Sequence, residues 1–498
     1  MKQRNPNDAL FRLIKSMDKG EKRLFNMLSR RQLNIRGKEY LKLFYAIDNQ
    51  EDYNEFELKK KLGLDKNKFA ETKKYLYKLV LDSLAQFQRG GGEKTIPLKV
   101  LELEVLLKKK LFDVYELQLY KLRKAAEEDD DYLTVLDTFQ REKRLNMLKS
   151  NYYDPEKFRD IRKKENHYIE LFQEIEDYRH LGNEISFYHT KFITKDTKQF
   201  RKISQRPLFK ELKKPRTVLA KFYLYNLRNT FYLTLNDGKK AFIEASAIAN
   251  LIELNPVFSK RNPKFTLLLM MGYIVNCLAV GEYEKALEGV LKYRLLSKQA
   301  PEFAKTKELN LYINELMAYK KLGRKVQTLA LIQEVKSKME SKRIIAEARF
   351  QIAFYLNASF ALLDFKEFKR SLTFANNVLN FPDIRNFNFL HFYNAFILRL
   401  INLFELNDET LEDQAKAFKR YLLTRGSLNQ VEKSFFCFFD DAITYRTDTI
   451  KRKTPALFER LKNELELELK NQSEKETMLS YSDLEHWLID GADSHGRT

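Results

Sequence analysis

Chain breakers are scarce. The 498 residues include 15 Gly and 10 Pro, where average usage would give about 60 of the two together. So few breakers, beside abundant Leu, Lys, Glu, Phe and Tyr, predict long helices and little sheet. Cysteine is nearly absent. Cys277 and Cys437 lie far apart in apolar runs, which excludes a disulfide framework and predicts two buried thiols in a reducing cytoplasm.

Motif chemistry is also missing. The six histidines are His167, His180, His189, His391, His486 and His495. None pairs at i, i+4, and there is no HExxH, CxxC or GxSxG. An acid–base set of His180, His189 and Glu184 competes with the plainer reading of satisfied, half-buried histidines. Gly90-Gly91-Gly92 is no phosphate loop, because no Lys-Ser or Lys-Thr follows at the required spacing; it reads as a joint. EEDDD at 127–131 cannot converge on one ion, since consecutive residues point in different directions, and reads as a solvated loop with a helix N-terminus. No enzyme, metal site or cofactor is expected.

Long apolar runs are absent too. Residues 265–281 run 17 residues without a charge, at the lower edge of a membrane span. Asn276 in the middle and the polar GEYEKALEG after it favour a buried helix. The apolar segment at the start is cut by Arg12 and Lys15, so no secretory signal is expected.

What is present is hydrophobic residues at 44 % with charge at 32 %, the mark of a folded chain. The net charge is +21. Residues 195–221 carry ten Lys/Arg against two Asp/Glu, and residues 454–498 carry five against ten. A basic body with an acidic tail admits nucleic acid or an acidic protein as partner.

Along the chain, Asp18 and Glu21 form a capping box ahead of a helix carrying Leu24, Phe25 and Leu28. Residues 38–88 read as three helices. FELKKKLGLDKNKFAETKKYLYKL resembles the helix-turn-helix core of winged-helix regulators, which implies that Lys66, Lys68, Thr72, Lys73 and Lys74 face DNA. No β-hairpin wing follows. Amphipathic helices continue over 97–148, and a helix-forming stretch runs from Pro155 to about Ile193, interrupted near Gly182. A basic segment with Pro207 and Pro215 then reads as an exposed loop between two halves of an array. Its Lys198, Arg201, Lys202, Arg206, Lys213, Lys214 and Arg216 are, with the lysines above, the candidate contacts for nucleic acid or an acidic partner.

From Leu219 the chain is periodic. Five second-helix segments align with Glu244, Ala286, Thr328, Ser371 and Ala415 in equivalent places, spaced by 42, 42, 43 and 44 residues. A fixed period in this range marks a helical solenoid, whose units bury their apolar faces only by stacking. AVGEYEKAL at 279–287, LMAYKKLG at 316–323, LDFKEFKRSL at 363–372, LNFP at 379–382 and ELNP at 253–256 resemble the tetratricopeptide repeat (TPR). Ile274 and Leu316 stand where that family has a small residue, and the period is longer than its 34. The resemblance implies a right-handed superhelical array binding peptides or proteins along a groove. The whole chain also resembles an uncharacterised bacterial family of long TPR-like proteins, which implies no activity. Aromatics such as Tyr283, Tyr293, Tyr319, Phe354, Phe360 and Phe368 have core spacing, and FFCFFDDA at 435–442 reads as a helix buried on all sides.

The expected organisation is therefore all-α. An N-terminal helical unit spans 1–92, with repeat-like helices over 93–203 and a basic linker at 204–217. A TPR-like array over 218–453 and an acidic helix and tail at 454–498 complete it. The tail, with the only Trp, Trp487, is expected either to be a plain capping helix or frayed terminus or to dock, as an acidic segment with an aromatic anchor, in the basic groove of its own or another molecule. The expected function is a cytoplasmic, non-enzymatic scaffold for a protein or peptide, with a nucleic-acid-binding regulator as the alternative.

Overall fold

The computed structural model describes residues 9–31, 37–89, 96–150, 154–191, 197–210, 214–344, 346–382, 384, 389–428, 430–444, 450–471 and 481–493. Among these residues it is all-α, with 24 α-helices and no strand. The chain divides into two units, residues 1–124 with 140–153, and residues 125–139 with 154–498.

The first unit begins with α1 (Ala9–Ser16), α2 (Lys19–Arg31), α3 (Gly37–Asp48), α4 (Glu55–Leu62) and α5 (Lys66–Arg89). The capping box at α2 is formed as expected. Asp18 Oδ1 accepts the Glu21 N–H and Glu21 Oε2 accepts the Asp18 N–H, both at 2.8 Å. Leu10, Ile14, Phe25, Phe44, Leu58, Phe69, Leu76 and Val80 form the core of these helices. Asn54 caps α4, which ends at Gly63 in the left-handed conformation. Asp65 Oδ1 then accepts the N–H groups of Asn67 and Lys68 and starts α5. A second small core joins α6 (Ile96–Lys108), α7 (Phe112–Glu128) and the latter half of α8 (Tyr132–Ser150) through Leu103, Leu107, Tyr115, Leu119, Leu122 and Leu145.

The second unit contains α9 (Pro155–Lys191), α10 (Thr197–Lys202), α11 (Val218–Thr234), α12 (Gly238–Leu254), α13 (Pro256–Arg261), α14 (Pro263–Ala279), α15 (Tyr283–Ser297) and α16 (Pro301–Lys321). It continues through α17 (Lys325–Glu340), α18 (Ala348–Asp364), α19 (Phe368–Leu379), α20 (Phe389–Glu405) and α21 (Leu411–Arg425). It ends with α22 (Gln430–Thr444), α23 (Ile450–Asn471) and α24 (Tyr481–Asp493). The expected interruption of α9 at Gly182 does not occur. A helical glycine costs about 1 kcal/mol against alanine, and the buried Tyr178, Leu181 and Ile185 on either side offset it. The stretch after α9 is more anchored than the expected exposed loop. It buries Phe200, Ile203 and Phe209, and the first and last of these rings pack on Phe231 with centroids 4.7 and 4.8 Å apart.

Five helix pairs then follow: α11/α12, α14/α15, α16/α17, α18/α19 and α20/α21. Each first helix ends in the same turn. A residue with positive φ stands at Asn236, Gly281, Gly323, Lys366 and Asn407. The next N–H reaches back five residues, from Asp237, Glu282, Arg324, Glu367 and Asp408 to the carbonyls of Tyr232, Cys277, Tyr319, Leu362 and Leu403. This is the left-handed helix stop that satisfies orphan carbonyls, natural for Gly and tolerable for Asn. Sequential packing extends beyond the pairs, with α12 on α14, α15 on α16, α16 on α18 and α19 on α20.

The small residue that lets each second helix approach its first is Ala241, Ala286, Thr328, Ser371 or Ala415, all essentially buried. The structural register therefore starts at Ala241, where the sequence alignment had Glu244. Three residues are nearly one turn, so both lie close to the same helix face and periodicity does not separate them. Two further expectations change. Cys437 is exposed, not buried. Helix α22 buries Phe435, Phe436, Phe438 and Phe439 but turns Lys433, Cys437 and Asp440 outward, so it is amphipathic and not buried all round.

Candidate functional site

The repeated turn gives a common register for the first helices. Thr230, Val275, Met317, Phe360 and Ile401 each stand six residues before the left-handed residue. Seven residues earlier, on the same stripe, come Tyr223, Leu268, Asn310, Ala353 and Asn394. On α14 the stripe Leu268, Gly272, Val275 and Ala279 is exposed and carries no charge. Val275 is 44 % exposed and Met317 36 %, whereas Phe360 is 5 % exposed and Ile401 0 %. Equivalent positions are thus open in the central repeats and covered in the last two.

The cover on the last repeats includes α24, which packs on α23 and α18. Leu484, Trp487 and Leu488 are buried in the same core as Phe360, Ile401 and Phe458. The Trp487 ring meets Phe458 and Phe438 edge-on at 4.9 and 5.7 Å. Its Nε1–H donates to Glu405 Oε1 at 2.6 Å. Asp490 pairs with Lys366 at 3.1 Å. Asp364, whose side chain is 6 % exposed, lies 3.2 Å from Lys320 Nζ and 3.5 Å from His486 Nδ1. Burial pushes both Asp364 and Glu405 above the usual carboxylate range. Gly491 is required here, because a Cβ at this position would fall into the Phe458 ring. Helix α24 thus docks within the chain, but on aromatic rings beside two buried carboxylates and not in the expected basic groove, because the apolar face of Leu484, Trp487 and Leu488 and not the tail's negative charge makes the contact.

The candidate basic contacts fare differently. Lys66, Lys68 and Lys74 of α5 are exposed, yet at 100° per residue they point in widely separated directions around the helix. Lys73 is engaged. Its Nζ donates to the Tyr53 hydroxyl at 2.7 Å and pairs with Glu55 at 3.4 Å. Glu55 is held at about 2, chiefly by its hydrogen bond from Lys59. Thr72 is buried and donates to the Lys68 carbonyl. The outward residues of α5 include Asn67, Lys74, Tyr77, Lys78 and Leu81.

In the basic segment, Arg206 forms a two-pronged pair with Glu184 at 2.6 and 2.8 Å. Arg216 lies 3.3 Å from Glu170 and 3.7 Å from Glu174. Arg201, Lys202 and Lys214 are exposed. Lys213 and the side chain of Lys198 lie outside the described residues. Arg206 and Arg216, with Lys214, Asp177 and Tyr178, line an open cleft of about 1040 Å³ against α9. The acidic face of α9 meets the basic segment, which linear charge counting does not reveal.

The acidic run at 127–131 is likewise spent on structure. Glu128 and Asp129 pair with Arg261. Asp130 accepts from the Tyr132 hydroxyl and the Leu219 N–H, and Asp131 caps α8 through Thr134. Among the described residues no cluster of His, Cys, Asp or Glu could hold a metal ion. None of the described helices is long and apolar enough to cross a membrane. Comparison with models of known families, with curated proteins and with solved structures finds no match in any of the three.

Proposed function

We propose that the chain is a non-enzymatic scaffold that holds a peptide or protein segment along the first-helix face of a right-handed, TPR-like array. The observation that carries this reading is the row Thr230, Val275, Met317, Phe360 and Ile401. In the central repeats this row presents Val275 and Met317 as exposed aliphatic positions in register on neighbouring first helices, with Leu268 beside them on α14, which suits a segment lying across those two repeats. The second helices offer a mixed surface: α15 turns Glu284, Lys285, Glu288 and Lys292 to solvent together with Leu291 and Leu295. The body's positive charge favours an acidic partner and speeds its encounter.

The test is site-specific photo-crosslinking in the cell of origin. A crosslinker placed at Val275 or Met317 should trap a partner that one at Leu291, exposed on the outer side of α15, does not. Equal trapping from all three positions, or none from any, rejects the reading.

A further inference from the structure

The hairpin of α6 and α7, in the first unit, has two apolar sides. One is the core it shares with α8, where Leu103, Leu107, Tyr115, Leu119, Leu122 and Leu145 meet. The other faces water. At 100° per residue, Leu101 and Val105 lie nearly opposite Leu103 on α6, and Leu117 lies nearly opposite Tyr115 and Leu119 on α7. Together with Val114 and Tyr120 of α7, and with Leu111 at the hairpin's tip, they are between 38 and 56 % exposed. Both helices turn their core residues to α8, so their outward residues share one outer surface.

Charge is sorted across the same two sides. Glu104 pairs with Arg141 of α8, and Glu116 with Lys149 of α8, each at 2.6 Å. Arg123 reaches Glu142 of α8, also at 2.6 Å. Lys108, Lys109 and Lys110 at the tip, and Lys121 on α7, stand exposed. Among the described residues no carboxylate pairs with these four lysines. Asp113 is exposed beside them, so the outer surface carries aliphatic and tyrosine side chains with a net positive rim.

We propose that this outer side of the α6–α7 hairpin docks peripherally on a membrane surface that carries anionic lipids. Leu101, Val105, Leu117 and Tyr120 enter the headgroup layer, and the four lysines meet anionic headgroups. The lysine stems lie along the apolar surface while their ammonium groups reach outward. Aliphatic and aromatic residues with lysines on the flanks are the pattern of a helix lying in a membrane interface. The apolar side chains stand on the helix crests opposite the core. Crests suit a headgroup layer, whereas a docked protein helix fits its ridges into grooves. The surface is separate from the first-helix row, and the scaffold reading does not depend on it.

The test is sedimentation of the full chain with vesicles of phosphatidylcholine and phosphatidylserine, beside vesicles of phosphatidylcholine alone. Saturable binding to the anionic vesicles, weakening as salt rises, is expected, with little binding to the neutral ones. Lys108→Glu with Lys121→Glu should reduce binding by more than about tenfold, since each lysine near such a surface contributes about fivefold. Val105→Glu with Leu117→Glu should weaken it comparably. Lys74→Glu with Lys78→Glu makes the same change of charge on α5 and should leave binding nearly unaltered. Circular dichroism of each variant checks that the fold is retained, and all six positions are exposed enough to tolerate the changes. Absence of binding to the anionic vesicles overturns the inference, and so does equal binding to both kinds. A loss in the α5 variant as large as in the hairpin variants overturns it too, because net charge alone then explains the binding. If vesicles fail to bind while a crosslinker at Leu117 traps a protein in the cell, the surface is a protein interface and the membrane proposal falls.

Discussion

Ser371 occupies the place that Ala241, Ala286 and Ala415 occupy in other pairs, so a methyl group fits there. Its hydroxyl donates to the Ser359 carbonyl at 2.8 Å and accepts from Asn402 Nδ2 at 2.9 Å. Ser371→Ala should therefore cost hydrogen bonds without steric change. A loss of about 1–3 kcal/mol is expected, from a buried donor left short of a partner, read as a lower denaturant midpoint at unchanged slope. The two thiols make a second residue-level contrast. Burial pushes Cys277 up to about 11, with the Tyr273 hydroxyl beside it, while Cys437 faces solvent. A thiol reagent should label one cysteine in the native protein at pH 8 and the second only on unfolding; Cys437→Ser should abolish the fast phase.

At the scale of the element, the docking of α24 is tied to titrating groups. Lys320, Lys321 and His486 surround Asp364, and Trp487, Lys366 and Asp490 surround Glu405. Burial dominates at both carboxylates and raises them. A group raised on docking contributes stability that is fully present below its ordinary value, about 4, and is lost as pH climbs through the raised value. The helix should thus hold more tightly near pH 4 than near pH 7. Trp487 is the only tryptophan, so its emission reports release directly. The denaturant midpoint of its red shift should fall with rising pH, and the trend should flatten in Asp364→Asn and Glu405→Gln. The capping box of α2, the amphipathic pairs and the stops at Gly281 and Gly323 were legible in the chain, because each depends on contacts within a few residues. The stop at Lys366 was not, since a lysine in the left-handed region carries no local signature. Nor was the three-residue slip at Ala241, which shifts the register by nearly one turn.

For the whole molecule, a formal charge of +21 overstates the basic surface on offer. Arg206 and Arg216 meet glutamates of α9, and Arg261 meets Glu128 and Asp129. Partners so distant in sequence leave no mark in a window count of charge. The basic segment, expected as an exposed loop, is in this way an internal clasp anchored by Phe200 and Phe209. The candidate face shows the same division. Phe360 and Val275 look alike in the sequence, both aliphatic or aromatic positions of a first helix at equal distance from its turn. One is covered and the other open because a helix more than a hundred residues downstream settles on the first. By itself the sequence determined the all-α class, the helix pairs and a period of roughly 42–44 residues, since helices and their stops arise from neighbours along the chain. Only the tertiary structure decided which charges are neutralised, which thiol faces water and which part of the array remains open, because these depend on which distant surfaces exclude water from one another.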